Sequence, residues 1–243
     1  STSGGGEAPS PNATQRRAEP PSEDSTRAFV RNTVVMSTGT ALSRLTGFLR
    51  LSAMAFALGI TESRLPDAYN IANITPNILY ELALGGILTS VLVPVVVEWM
   101  QTRGRDAAWD VVRRLFTITL VVLSAIAVLG IVLAPWIIDL YTVGYPEAQR
   151  VAVHDLATFF LRFFMPQVVF YGIGAVAAGL LNSHRRFAAP MFAPIANNLI
   201  VIATFLVFYA MPGPAEGSHE LATGAQQLVL AVGTTLGVVA MTV

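Results

Sequence analysis

Six long apolar stretches, covering residues 29–60, 67–100, 112–141, 156–181, 187–211 and 221–243, constrain this chain more than any other feature. Each exceeds the roughly 20 residues that a helix needs to cross a hydrocarbon core of about 30 Å. One such stretch would suit a buried helix of a soluble protein; six in succession leave too little polar surface to enclose them. None shows the short alternating segments of a membrane barrel. In hydrocarbon every backbone N–H and C=O must be satisfied within the segment, which a continuous helix achieves. Composition agrees, since only 12% of residues are charged and the mean hydropathy is +0.60, against about 25% charged in soluble domains. The expectation is an all-α polytopic membrane protein with a transmembrane helix for each stretch.

The positive charges orient those helices. All 15 basic residues are arginine. Arg16, Arg17, Arg27 and Arg31 precede or open the first stretch, Arg103, Arg105, Arg113 and Arg114 lie between the second and third, and Arg185 and Arg186 lie between the fourth and fifth. The connections on the opposite side carry only Arg64 and Arg150. Ten against two, alternating with each crossing, predicts a cytoplasmic N-terminus by the positive-inside rule. Residues 1–27 are Gly, Pro, Ser and charge with almost nothing apolar, which predicts a disordered cytoplasmic tail. The tail has no apolar core of a signal peptide. Residues 28–243 then form the membrane domain, and because the last stretch is still running at Val243, they read as the N-terminal part of a larger protein.

Chemistry of other kinds finds little support. There is no cysteine, and His154, His184 and His219 lie too far apart to form a metal-binding cluster. The Gly172-Ile173-Gly174 stretch follows no strand, so it does not suggest a dinucleotide loop. No P-loop, nucleophile–base arrangement or carboxylate pair stands out, and nothing makes a case for an enzyme, a bound cofactor, a metal or a nucleic-acid partner.

The charges inside the apolar stretches carry more information. Arg44 and Arg50 interrupt the first, where a cation costs about 2.5–3.5 kcal/mol on insertion scales. Six residues apart, they project about 120° from one another on a helix, so a broad cavity is needed to receive both. Asp67 at the head of the second stretch and Glu81 after Pro76 are the acidic candidates to pair with them. Pro76 removes a helical hydrogen bond, and Thr75 and Asn77 beside it can satisfy freed backbone groups or meet a polar ligand. Arg162, seven residues after Asp155, reads as a structural ion pair or a snorkelling side chain near the outer end of its helix. His154 reads as a solvated helix-start residue. Asn197 and Asn198 suggest interhelical hydrogen bonds, and Gly172, Ala175 and Gly179 suggest a close helix contact.

Four segments together resemble the lipid II flippase family (MurJ, also called MviN) within the MOP exporter superfamily. They are SRLTGFLR from Ser43 to Arg50, PDAYNIANITPN from Pro66 to Asn77, GILTSVLVPVVVEW from Gly86 to Trp99, and GLLNSHRRFAAPMFAPIANN from Gly179 to Asn198. The resemblance covers about residues 30–243 and implies one six-helix lobe of a two-lobe transporter, in the inner membrane of a bacterium. It implies a lipid-linked diphosphate, lipid II, as substrate, moved to the outer leaflet by alternating access for cell-wall synthesis. By position, Ser43, Arg44, Arg50 and Asn77 would meet the substrate, with Asp67, Glu81 and Pro76 as gating or ion-pairing residues. Membrane lipids and the C-terminal lobe of the same chain are the implied partners. Leu51, where many members carry an acid, and Tyr80-Glu81, where members commonly carry basic residues, depart from the pattern. Those departures leave open an exporter of another polyprenyl-linked glycan or of an amphipathic cation. A non-transporting membrane scaffold for cell-wall enzymes is the reading from a different class.

Overall fold

The computed structural model describes residues 23–59, 64–85, 98, 105–183, 188–214 and 221–242. The helices are α1 (Glu23–Leu58), α2 (Leu65–Tyr80), α3 (Arg105–Thr142), α4 (Glu147–Phe164), α5 (Gln167–Ser183), α6 (Ala188–Ala210) and α7 (Gly224–Thr242). The chain forms two compact units, residues 1–35 and residues 36–243, and the bundle belongs to the second. Five segments among the described residues are long and apolar enough to cross a membrane: Thr33–Leu58, Val112–Thr142, Gln149–Asn182, Ala189–Ala210 and Gly224–Thr242. The sixth expected span is described only over α2, the π-helical turn Glu81–Gly85 that follows it, and residue 98. The protein is an all-α polytopic membrane protein.

Local chemistry sets the helix limits. Pro66 sits in the first turn of α2, where its missing N–H costs nothing, and Asp67 beside it favours the helix N-terminus. At α7 the Thr223 hydroxyl accepts from the Gln226 N–H at 3.3 Å, and the Gln226 side-chain oxygen accepts from the Thr223 N–H at 3.0 Å. This reciprocal pair is a capping box and fixes the start of α7. The fourth apolar stretch folds as two helices because Pro166 has no N–H to offer the carbonyl of Arg162. Val168 and Val169 close short turns onto Met165 and Pro166 instead, both at 3.1 Å. The Phe163 carbonyl is met from outside by the Thr235 hydroxyl at 3.4 Å.

Several expectations change in the structure. Residues 1–22 of the expected tail lie outside the described residues, but Glu23 to Arg27 already form helix in α1. Of the twelve orienting arginines, Arg16, Arg17, Arg103, Arg185 and Arg186 lie outside the described residues, whereas Arg27 and Arg31 fall within α1 and Arg105, Arg113 and Arg114 within α3. Because α4 starts at Glu147, Arg162 sits well inside the Gln149–Asn182 span rather than near its outer end. Its side chain is exposed, and among the described residues it pairs with no carboxylate; Asp155 lies 3.3 Å from His154 instead. His154 in turn is half-buried two turns into α4, held beside Asp139 of α3 and the Pro135 carbonyl. Pro76 does not interrupt α2, which continues through it to Tyr80; the helix changes to π geometry only at Glu81.

The core of the bundle is centred on Tyr69. Its ring lies edge-on to Phe160 and Phe164 of α4 and Phe205 of α6, with centroids 5.9, 5.8 and 5.5 Å away. Its hydroxyl shares a 2.8 Å hydrogen bond with the Thr234 hydroxyl of α7. One side chain therefore ties α2, α4, α6 and α7 by packing and a buried hydrogen bond, which carry helix association where lipid removes the hydrophobic driving force. Tyr69→Phe keeps the ring and leaves the Thr234 hydroxyl without this partner. The expected loss is about 1–3 kcal/mol, read as a lowered midpoint in detergent unfolding at unchanged helix content.

Candidate functional site

Arg50 is the cation that α1 presents to a cavity of about 600 Å³. Opposite it α2 contributes Asn70, Asn73 and Asn77, spaced by three and four residues so that they share one stripe of the helix. Tyr69 of α2, Tyr141 of α3, Tyr171 of α5, Asn197 of α6 and Thr234 of α7 complete the polar wall. No carboxylate lines the cavity among the described residues. The wall thus offers one fixed positive charge among neutral amides, phenols and a hydroxyl. Such a set can hold an anion with uncharged polar groups beside it; it contains no pair suited to acid–base chemistry.

Arg44 is elsewhere. Its side chain is exposed and does not line this cavity, as its rotation of about 120° from Arg50 requires. Neither arginine pairs with Asp67 or Glu81 in this structure. Asp67 is bonded to Arg64 at 3.0 Å. Arg64 also donates to the side-chain oxygen of Gln149 at 3.0 Å and lies 5.4 Å above the Tyr145 ring. Burial, and then the Asp67 carboxylate, push the Tyr145 hydroxyl above its ordinary value of 10, so it stays protonated as a donor to Asp67. The acid at the head of α2 is therefore engaged by its own helix and by the α3–α4 connection. Glu81 is exposed and accepts from the Asn77 amide at 3.4 Å. Pro76 is buried, and the Thr75 hydroxyl donates to the Ile71 carbonyl at 2.7 Å.

Ser43 also plays a backbone role here. Its carbonyl accepts from the Asn198 amide at 3.4 Å, while the same amide donates to the Thr46 hydroxyl at 3.0 Å. Asn198 thus fastens α1 to α6, as an interhelical amide should. Asn197, one residue earlier and 100° away on the helix, faces the cavity instead, and its side-chain oxygen is buried without a hydrogen-bond partner. Asn70, Asn73 and Tyr171 were not expected as site residues. The Asn70-Asn73-Asn77 spacing is visible in the sequence, but only the fold shows which side of α2 faces Arg50.

A second cavity, of about 490 Å³ and lined mainly by small apolar side chains including Ala175, Ala178, Ala189 and Pro190, adjoins the first. Tyr171 and Met241 line both. A polar chamber and an apolar groove thus share one wall, an arrangement matched to an amphiphile rather than to a small ion.

Comparison with known proteins places this architecture. The family model described as lipid II flippase MurJ matches residues 54–243, beginning just after the helix that carries Arg44 and Arg50 has passed both. The lipid II flippase MurJ of Burkholderia cenocepacia is 32% identical over 174 residues, covering 71% of this chain and 33% of that protein. A probable lipid II flippase MurJ of Rhizobium meliloti is 28% identical over 208 residues, covering 85% of this chain and 37% of its own length. One from Synechocystis is 28% identical over 220 residues, covering 90% and 39%. The chain spans about a third of the length of these curated relatives. With a family match running from the end of α1 through all of α7, the chain belongs to the lipid II flippase MurJ family.

Proposed function

We propose that this chain forms the N-terminal lobe of a bacterial inner-membrane flippase that moves the undecaprenyl-diphosphate-linked peptidoglycan precursor, lipid II, to the outer leaflet. The observation that carries this reading is Arg50 held on the wall of a polar cavity that is otherwise uncharged among the described residues, within a membrane bundle. A guanidinium kept in hydrocarbon is costly unless an anion meets it, and its planar fork suits the oxygens of a diphosphate. Family membership and the adjoining apolar groove support the same substrate. In this reading the N-terminus is cytoplasmic and a second lobe of the same protein closes the cavity. Arg44 then meets the diphosphate from the face turned to that lobe. Asp67, with Arg64 and Tyr145, acts as the outer gate, and the π turn after Pro76 lets α2 bend. Transport is by alternating access, with no chemical step. One elementary charge moving through 100 mV supplies about 2.3 kcal/mol, enough to drive a charge-linked cycle.

The test uses full-length protein in bacterial cells depleted of their own lipid II flippase, with lipid II accessible on the outer leaflet as the readout. Wild-type protein is expected to restore it. Correctly inserted, abundant protein that restores none, in a host shown to support a close relative, would reject lipid II as the substrate.

A further inference from the structure

We infer that Asn70 and Asn73 of α2 recognise the uncharged, hydroxyl- and amide-rich part of the headgroup, its glycan, while Arg50 takes the charge. This rests on the function proposed above and adds a division of labour within the same cavity. Among the described residues the wall carries a single cation but four asparagines, Asn70, Asn73, Asn77 and Asn197. An asparagine side chain offers two N–H donors and an accepting oxygen. An ionised phosphate only accepts, so a wall built for phosphate alone needs donors and no acceptors.

Two observations favour a ligand that both donates and accepts hydrogen bonds. A phosphate oxygen has no proton to offer an asparagine side-chain oxygen, whereas a sugar hydroxyl or an acetamido N–H does. The side chains of Asn70 and Asn73 make no hydrogen bond among the described residues, while Asn77 is already engaged with Glu81. Two complete amides are therefore available one helical turn apart. Their stripe, from Asn70 to Asn77, extends about 10 Å along the axis of α2, a length that two linked sugar rings can follow. Being neutral, these amides neither compete with Arg50 for the diphosphate nor add to the cost of charge in the membrane.

The test is a binding titration with purified full-length protein in detergent, using two probes: undecaprenyl diphosphate without sugar, and lipid II with its disaccharide-pentapeptide. The variants are Asn70→Ala/Asn73→Ala together and Arg50→Ala alone, each checked for a wild-type thermal midpoint. The double substitution is expected to weaken lipid II binding about tenfold, the loss of two modest hydrogen bonds, and to leave the sugarless lipid unchanged. Arg50→Ala is expected to weaken both. Equal weakening of both probes by the double substitution would show that the amides serve the diphosphate and would overturn the inference. No effect on either probe would overturn it as well. Folded wild-type protein that binds neither probe would instead reject the flippase reading itself, and this inference with it.

Discussion

Arg50→Ala is expected to reduce outer-leaflet lipid II by about tenfold to a hundredfold at matched membrane abundance. Hydrogen bonds to a charged group contribute about 1.5–3 kcal/mol, and each 1.4 kcal/mol is about a factor of ten. Arg50→Lys should recover only part of the loss, because an ammonium keeps the charge but not the planar pair of donors. Arg44→Ala should cost less than Arg50→Ala, since Arg44 is exposed and lies off the cavity wall. All three are read in the same depleted cells, with abundance measured by quantitative blotting. If Arg50→Ala transports normally while Arg44→Ala does not, the anion is bound on the other face of α1. Full transport by both variants would make the two arginines structural, a possibility their lack of carboxylate partners among the described residues already disfavours.

A large stability effect is expected at Gly237, where α7 packs against both the backbone and the side chains of α6. A Cβ at that position would stand 2.9 Å from Cγ2 of Val201 and 3.2 Å from the backbone oxygen of Asn197. It would also stand 2.5 Å from the Asn197 side-chain oxygen. A backbone atom cannot yield as a flexible side chain can, so the helices must part. Gly237→Val is therefore expected at the upper end of the about 1–3 kcal/mol that overpacking typically costs. It would appear as a lower unfolding midpoint and reduced membrane abundance. Gly144→Ala is the matched control, because nothing lies within 4 Å of its Cβ position. Displacing Asn197 also disturbs the cavity, so residual folded Gly237→Val protein should bind substrate less well. An unchanged midpoint would mean that α6 and α7 are further apart than the structure shows.

The asparagines show where sequence reasoning stops. Adjacent Asn197 and Asn198 have the same chemistry and the same depth in an apolar helix. A rotation of 100° nonetheless sends one to the cavity and the other to α1. Arg44 and Arg50 are likewise equivalent in the sequence, two arginines in one apolar stretch, yet only Arg50 lines the cavity. Asp67 looked available to either arginine; it is instead held by Arg64, three residues earlier, with Tyr145 of the α3–α4 connection beside it and Gln149 of α4 bonded to Arg64. Periodicity gives the angle between two side chains of one helix. It does not give the face that a neighbouring helix will cover.

By itself the sequence determined that this chain is helical and crosses a membrane repeatedly, because hydrocarbon permits few other ways to satisfy a backbone. It also marked Arg50 as a residue that needs a reason to exist, since the cost of a buried cation depends on composition and depth alone. Only the tertiary structure decided that Thr235 of α7 meets a carbonyl at the Pro166 break, and that α2 runs unbroken through Pro76. It alone decided that Tyr69 joins four helices and that three asparagines of α2 share a cavity with one arginine of α1. These outcomes depend on contacts between segments far apart in the chain, where packing geometry chooses among faces that hydropathy leaves equivalent.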